Sequence, residues 1–290
     1  TKTEIKNGKK LRYQDIQSLY PFVQFFCDMP VGIPTHITEN FGPDLHQFVK
    51  DTYGFIQVDI TPPKGLYHPV LAERRDGRLI FDLLPKCAAV YSSVELVKAL
   101  EKGYIVTKIY KALKFDKRND IFKSYISQLL KGKIEASGTN LEGSDLDEFI
   151  LEHKKRFGFD LDRANLKRNE GYRALMKIQL NSLWGKFGQS LDKKTTVYVD
   201  KACDWFKILT NQRRGVIKDL DFHDLGVPDV LYVTYIENKN NDRALDTTSI
   251  AIAAMTTAHA RLRLYDELEK LDDRVLYFGT DSIIYVNIDK

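Results

Sequence analysis

No apolar run in this 290-residue chain approaches the roughly 18 residues that a membrane-spanning helix needs. The first stretch, TKTEIKNGKKLRYQD, has no apolar core, which excludes a secretory signal there. Cysteine is scarce. Cys27, Cys87 and Cys203 are scattered and odd in number, so the expectation is a reducing compartment and no disulfide framework. No CxxC and no close Cys/His set occurs, which argues against a structural zinc site. The formal charge is only +4, with a pI of about 8.7; a local basic groove fits inside such a balance but does not follow from it. Internal repeats and low-complexity tracts are absent too. What is present is a globular composition, 43% hydrophobic and 29% charged, in a chain long enough for one large domain or two modest ones. Both ends read as cut, and the expectation is a fragment of a larger protein.

Alternation and turn residues place strands at KLRYQDI (10–16), YGFIQVDI (53–60) and IVTKIYKALKF (105–115). After the first of these comes SLYPFVQFFCDMP, and Pro30, Gly32 and Pro34 then break the pattern. Residues 66–83 read as a hairpin turning at Asp76-Gly77. SSVELVKALEKGY is a helix, capped by Ser92 or Ser93 with Glu95 in support and ended by Gly103. Residues 120–136 carry Ile121, Tyr125, Ile126, Leu129 and Leu130 at helical spacing. Two helices follow between 145 and 190, then short strands over 194–236, a long helix SIAIAAMTTAHARLRLYDELEKL, and a closing hairpin VLYFGTDSIIYV. The fold class is α+β. Trp205 and the cysteines are expected in the core, and His259 on the surface or the DNA side rather than as a catalytic base.

Three local patterns carry chemistry. On the helix EGYRALMKIQLNSLWGKFGQ, Arg173, Lys177, Asn181 and Trp184 fall on one face, with Leu175 and Ile178 opposite. A Lys/Arg stripe is ordinarily a solvated face. Asn is a poor mid-helix residue, however, and an exposed Trp is uncommon. Two cations, an amide and a flat ring suit a triphosphate with a base stacked further along. Asp15 ends a strand before a turn whose amides can face an anion; alternatively it caps the next segment, and Tyr20 is core packing. Asp281 sits in the closing hairpin, where a turn-forming Asp is the bland alternative.

In order along the chain, DIQSLYP (15–21), KIQLNSLWG (177–185), TAHAR (257–261) and GTDS (279–282) resemble motif A, motif B, the T-x-x-G/A-R element and motif C of family B DNA polymerases. NEGYRALMKIQLNSLWGKFGQ, YHPVLAERRDGRLIF and IFKSYISQLLKGKIEASG resemble the protein-primed branch, of the Polinton/Maverick, linear-plasmid and viral type. The resemblance covers nearly the whole chain. It implies a polymerase palm with an antiparallel sheet, helical fingers and β-rich insertions, the thumb largely missing. The parts would be 1–40 (palm, motif A), 41–120 (an insertion resembling terminal-protein region 1), 121–190 (fingers), 191–245 (a β-rich insertion resembling terminal-protein region 2) and 246–290 (palm, motif C).

The resemblance further implies template-directed addition of dNTPs to a primer 3′-hydroxyl with two Mg2+ ions, or Mn2+. Asp15, Asp281 and the carbonyl of Ile16 would hold the metals. Ser18, Leu19, Tyr20, Arg173, Lys177, Asn181 and Trp184 would bind the nucleotide, with Tyr20 as the gate against a 2′-hydroxyl. Ser182, Gly185, Thr257, Arg261, Thr280 and Ser282 would meet DNA. A primer-template and a terminal (priming) protein would be the partners, in the nucleus or cytoplasm of a host cell, or the mitochondrion for a plasmid-borne copy; no membrane is implied. Gly279 stands where most of the family has Asp, which points to weakened activity or to a decayed copy that binds DNA without polymerising. A reverse transcriptase also has a palm, but TDS and motif B argue against it.

Overall fold

The computed structural model describes residues 10–190, 194–210, 217–224, 230–237 and 248–287. The loops joining the strands expected over 194–236 lie largely outside these residues. The chain divides into two compact units, Thr1–Gly185 with Ser249–Lys290, and Lys186–Thr248.

In the larger unit, strands β1 (Lys10–Asp15), β11 (Val275–Phe278) and β12 (Ser282–Asn287) form an antiparallel sheet with β12 central. Lys10 pairs with Asn287 and Asp15 with Ser282. Period-two alternation turns Ile283 and Tyr285 of β12 inward. They pack with Val275 on Leu264 and Leu268 of α8 (Ile250–Leu271). Helix α1 (Leu19–Phe26) lays Leu19 and Val23 on Ala260 of the same helix. One long helix thus backs both segments that follow Asp15 and surround Asp281.

A second antiparallel sheet has the order β2 (Met29–Ile37), β7 (Ile105–Arg118), β3 (Gly54–Thr61), β6 (Lys86–Ser92). Ile56, Val58 and Ile60 of β3 are buried with Val49 of α2 (Leu45–Asp51) and Leu96 and Ala99 of α3 (Ser93–Glu101). Tyr265 of α8 joins this core. The hairpin β4 (Ala72–Arg75) and β5 (Arg78–Phe81) turns at Asp76-Gly77 as expected. Helices α4 (Lys123–Ser137), α5 (Gly143–Phe157) and α6 (Glu170–Phe187) follow.

Several elements depart from the sequence reading. The prolines do not break β2: it is an edge strand whose register shifts between Val31 and Thr35, so the missing N–H groups cost little. Cys87 lies on the edge strand β6 and Cys203 at the start of α7 (Ala202–Thr210), and both are exposed; only Cys27 is half-buried.

In the smaller unit, β10 (Leu231–Glu237) runs between β8 (Lys194–Val199) and β9 (Ile217–Asp224). Helix α7, where only strands were expected, packs Trp205 and Ile208 on Val199, Val233 and Tyr235.

Candidate active site

β1 ends at Asp15, and the next amide, Ile16 N, donates to Asp281 O at 2.7 Å. That bond ties the end of β1 to the tip of the β11–β12 hairpin, which Gly279 N closes by donating to Ser282 O at 2.8 Å. Asp15 and Asp281 therefore come to one place from opposite ends of the sequence. They line a cavity of about 420 Å³.

The chain then turns sharply. Ser18 has φ 54° and ψ 44°, a left-handed conformation that is uncommon for a non-glycine residue. It precedes α1 without giving the helix a side-chain cap, so the N-terminal turn at Leu19 and Tyr20 opens on the cavity with its positive dipole end uncapped. The Ser18 hydroxyl instead accepts from Lys133 Nζ at 3.0 Å.

The opposite wall is α6. Arg173, Lys177, Asn181 and Trp184 all line the cavity. Only Met176 and Leu180 of this helix are buried, while Leu175 and Ile178 are exposed, so the polar stripe is the face that α6 turns to the site. Tyr20 and Trp184 meet across it, ring centroids 4.3 Å apart and tilted by 34°. Arg173 Nε donates to Ser137 Oγ of α4 at 3.1 Å.

Lys133 is the functional candidate that the sequence reading missed. It stands four residues after Leu129 and seven after Ile126, both buried, so it is a cation placed on the apolar stripe of α4. That misfit is the signal that finds it. Close approach of the two helices brings it to α6: a Cβ on Gly132 would lie 3.1 Å from Met176 Sδ and 3.2 Å from the Tyr172 hydroxyl. Burial lowers the pKa of Lys133, and the charges of Arg173 and Lys177 lower it further. Burial raises that of Tyr20, with the Asp281 carboxylate adding to the rise and Arg261 opposing it.

Charge in the cavity is segregated. No ion pair or side-chain hydrogen bond engages Asp15 or Asp281 among the described residues, although three cations line the same space. Two unpartnered carboxylates and a free carbonyl at Ile16 make a hard oxygen donor set, which fits a divalent cation that keeps part of its water shell. No cluster of three or more His, Cys, Asp or Glu side chains occurs among the described residues, so such an ion would depend on water or substrate oxygens for its remaining ligands.

A larger groove of about 680 Å³ runs on from Tyr20, lined by Thr257 and Arg261 of α8, by Gly279 and Thr280, and by Phe81 and Phe278. The Thr257 hydroxyl donates back to Ala254 O at 2.8 Å. Ser282 pairs with Asp15 in the sheet. Ser182 and Gly185 are exposed on α6 and line neither space. His259 is half-buried rather than openly exposed: it is turned in toward Asp28 O, 3.2 Å from Nε2, and burial lowers its pKa. The family pattern at Gly279 is not a backbone requirement here. Its φ is not in the left-handed region, and the nearest atoms to an added Cβ would be Ser282 Oγ at 3.2 Å and the ring and hydroxyl of Tyr277 at 3.9 Å.

The sequence model of the family described as DNA polymerase type B, organellar and viral, matches residues 2–144 and 162–273. The chain belongs to that family. Motif residues Asp15, Lys177 and Asn181 fall in the matched stretches, and the gap between them covers most of α5. The chain is 28% identical over 289 residues to a probable DNA polymerase of Ascobolus immersus, covering 98% of this chain and 20% of that protein. It is 28% identical over 299 residues to a probable DNA polymerase of Podospora anserina, covering 96% and 21%. The chain thus spans about a fifth of the length of these relatives. Its fold is similar to that of Phi29 DNA polymerase in a ternary complex with primer-template DNA and incoming nucleotide, with a TM-score of 0.57 at 19% identity, over 97% of this chain and 39% of that one.

Proposed function

We propose that this family B chain forms the nucleotidyl-transfer centre of a DNA polymerase that extends a primer 3′-hydroxyl with dNTPs on a DNA template. The observation that carries this reading is the segregated cavity, in which two unpartnered carboxylates at adjoining strand ends share a space with Lys133, Arg173 and Lys177. Cations on α4 and α6 suit the triphosphate, and the uncapped start of α1 adds dipolar attraction for the same anion. Tyr20 lies where a sugar would stack and a 2′-hydroxyl would collide. Asn181 and Trp184 flank the new base pair. The primer oxygen attacks the α-phosphorus, the bond to the β-phosphate oxygen breaks, pyrophosphate departs and the hydroxyl proton passes to water. Positioning and charge neutralisation are what such a transfer requires of the protein. Asp15, Asp281 and the Ile16 carbonyl would hold Mg2+ or Mn2+, which when bound neutralises phosphate charge and acidifies the primer hydroxyl.

Thr257, Arg261 and Thr280 along the groove, with Ser282 beside Asp15 in the sheet and Ser182 and Gly185 on α6, would meet the primer-template. We also propose that priming is by a terminal protein contacting the insertions at 41–120 and 191–245; the sequence resemblance to the protein-primed branch supports this. A second reading, a decayed copy that binds DNA without polymerising, is favoured by Gly279. Primer extension with Mg2+ or Mn2+ separates the two. Template-dependent incorporation supports the enzyme, and DNA binding without incorporation overturns it.

A further inference from the structure

Arg261 stands one helical turn beyond Thr257 on α8 and lines the groove beside Gly279 and Thr280. Its Nε donates to Glu95 Oε1 at 2.8 Å. Glu95 belongs to α3, on the insertion side of the unit, 166 positions earlier in the sequence. Its other oxygen, Oε2, accepts from Ser92 Oγ at 2.7 Å, and the same hydroxyl accepts from Glu95 N at 3.3 Å. Ser92 thus caps α3, and its hydroxyl, rather than its backbone amide as in a capping box, returns a bond to the Glu95 carboxylate. Both carboxylate oxygens are therefore engaged and oriented, and the Glu95 side chain is 5% exposed against 31% for Arg261.

The arginine is only half used by this pair. Nε is taken, and the two terminal nitrogens have no partner among the described residues. Those nitrogens are the fork that binds a phosphate in two-point fashion. A free arginine at a groove wall samples many rotamers, and ordering it on a ligand costs affinity. An arginine clamped through Nε by a buried carboxylate has lost that freedom already.

We propose that Glu95 is a positioning residue, which holds the Arg261 guanidinium in the groove with its terminal nitrogens reserved for a backbone phosphate of the primer-template. The inference rests on the reading of the groove as a DNA path. It makes the insertion at 41–120 a structural part of that path, coupled to α8 through one side chain.

Charge alone predicts the opposite of positioning. Glu95 adds a negative charge beside the groove, so removing it should tighten DNA binding if it does nothing else. The test is titration of the protein with a fluorescent primer-template between about 50 and 200 mM salt, with thermal melts alongside. Positioning predicts that Glu95→Gln weakens binding about 10-fold and flattens the slope of log Kd against log salt by about one, as loss of one phosphate contact does. Arg261→Met should do the same, and the double variant should be no worse than Arg261→Met alone. Ser92→Ala, which removes the cap and frees Oε2 but leaves Oε1 on Arg261, should lower Tm and weaken binding clearly less than Glu95→Gln does. Binding by Glu95→Gln that equals or exceeds the parent, while Arg261→Met weakens it, overturns the positioning role and leaves the groove reading intact. So does a Ser92→Ala variant as weak as Glu95→Gln. If Arg261→Met binds like the parent, the groove reading fails first and this inference with it.

Discussion

Tyr20 and Trp184, 164 residues apart in sequence and brought together from α1 and α6, touch ring to ring at 4.3 Å across the candidate site. Each ring belongs to a different motif, and their contact joins the wall that carries the carboxylates to the wall that carries the cations. Tyr20 also borders the larger groove, so it lines both spaces, which on the proposed function are those of nucleotide and primer.

A ring in that position excludes by volume. Tyr20→Ala should raise the use of ribonucleotides against deoxyribonucleotides by about 10-fold or more, equivalent to about 1.4 kcal/mol of lost discrimination. Tyr20→Phe should keep the discrimination, because burial and Asp281 keep the phenol protonated and the ring provides the steric bulk. Competition assays with matched dNTP and rNTP decide it; unchanged selectivity in the alanine variant removes Tyr20 from this role.

Among the described residues no cation pairs with Asp15 or Asp281, so their charge is available to a ligand. Asp15→Asn and Asp281→Asn should each abolish incorporation, a loss of at least about 10³-fold, while primer-template affinity stays within about two-fold. Equal incorporation by either variant would sink its assignment as a metal-holding residue.

Much of this arrangement was legible from residue pattern, and the remainder was not for identifiable reasons. The strand ending at Asp15 alternates in sequence although all six of its residues are exposed, the one beginning at Ser282 is an apolar run whose burial alternates, and the stripe Arg173, Lys177, Asn181, Trp184 on α6 survives as the face that lines the cavity. β2 was hidden because Pro30 and Pro34 are tolerated at a sheet edge, which no local pattern reveals. α1 was hidden because its start at Ser18 is left-handed and has no side-chain cap, so the usual N-terminal signal is missing. Lys133 and the Glu95–Arg261 pair depend on contacts more than a hundred residues apart in sequence, which helical periodicity alone cannot supply.

Lys133 allows a pH test. Burial, then Arg173 and Lys177, hold its pKa below the ordinary lysine value, so it loses its proton at lower pH than an exposed lysine. A triphosphate needs the charged form. KM for dNTP should therefore rise on the alkaline side earlier than a lysine of ordinary pKa would dictate, with kcat less affected. Lys133→Arg, whose guanidinium stays protonated, should flatten that rise, and Lys133→Met should raise KM about 10- to 100-fold at neutral pH. A KM that is flat with pH in the parent refutes the involvement of Lys133.

The β4–β5 hairpin that borders the groove is held by a charged knot. Lys86, with a side chain only 2% exposed, pairs with Asp82 and with Glu73 at 3.1 Å, and Arg75 bonds Asp82 at 2.5 Å and Glu73 at 2.6 Å. Despite an opposing cost of burial, hydrogen bonds from Lys86, the Leu84 amide and Arg75 bring Asp82 down to about 2. A carboxylate with a depressed folded pKa contributes stability that is present above its ordinary pKa and is lost as pH falls. The Asp82 contribution should therefore hold at neutral pH and fade between about 4 and about 2. Lys86→Met should lower stability by about 2 kcal/mol at pH 7 and much less at pH 2. Equal losses at both pH values in chemical denaturation would exclude this origin.

Gly279 stands where the sequence resemblance leads one to expect Asp, and the structure says what replacing it would meet. The backbone is not left-handed, and the nearest neighbours of an added Cβ are the Ser282 hydroxyl and the Tyr277 ring. The hydroxyl can rotate aside, and the ring contact is ordinary. Gly279→Asp should therefore fold with stability within about 0.5 kcal/mol of the parent. Its carboxylate would enter a hairpin tip that already carries Asp281, beside Tyr20 and the cation-lined wall. If the missing carboxylate limits the reaction, Gly279→Asp should raise the rate of Mg2+-dependent incorporation several-fold, while Gly279→Asn, of equal size and no charge, should not. If the parent is inactive and Gly279→Asp restores incorporation, the chain is a copy silenced at this one residue. A rate unchanged by Asp and by Asn alike would mean that Asp15 and Asp281 supply all the carboxylate the chemistry uses, and that Gly279 is neutral.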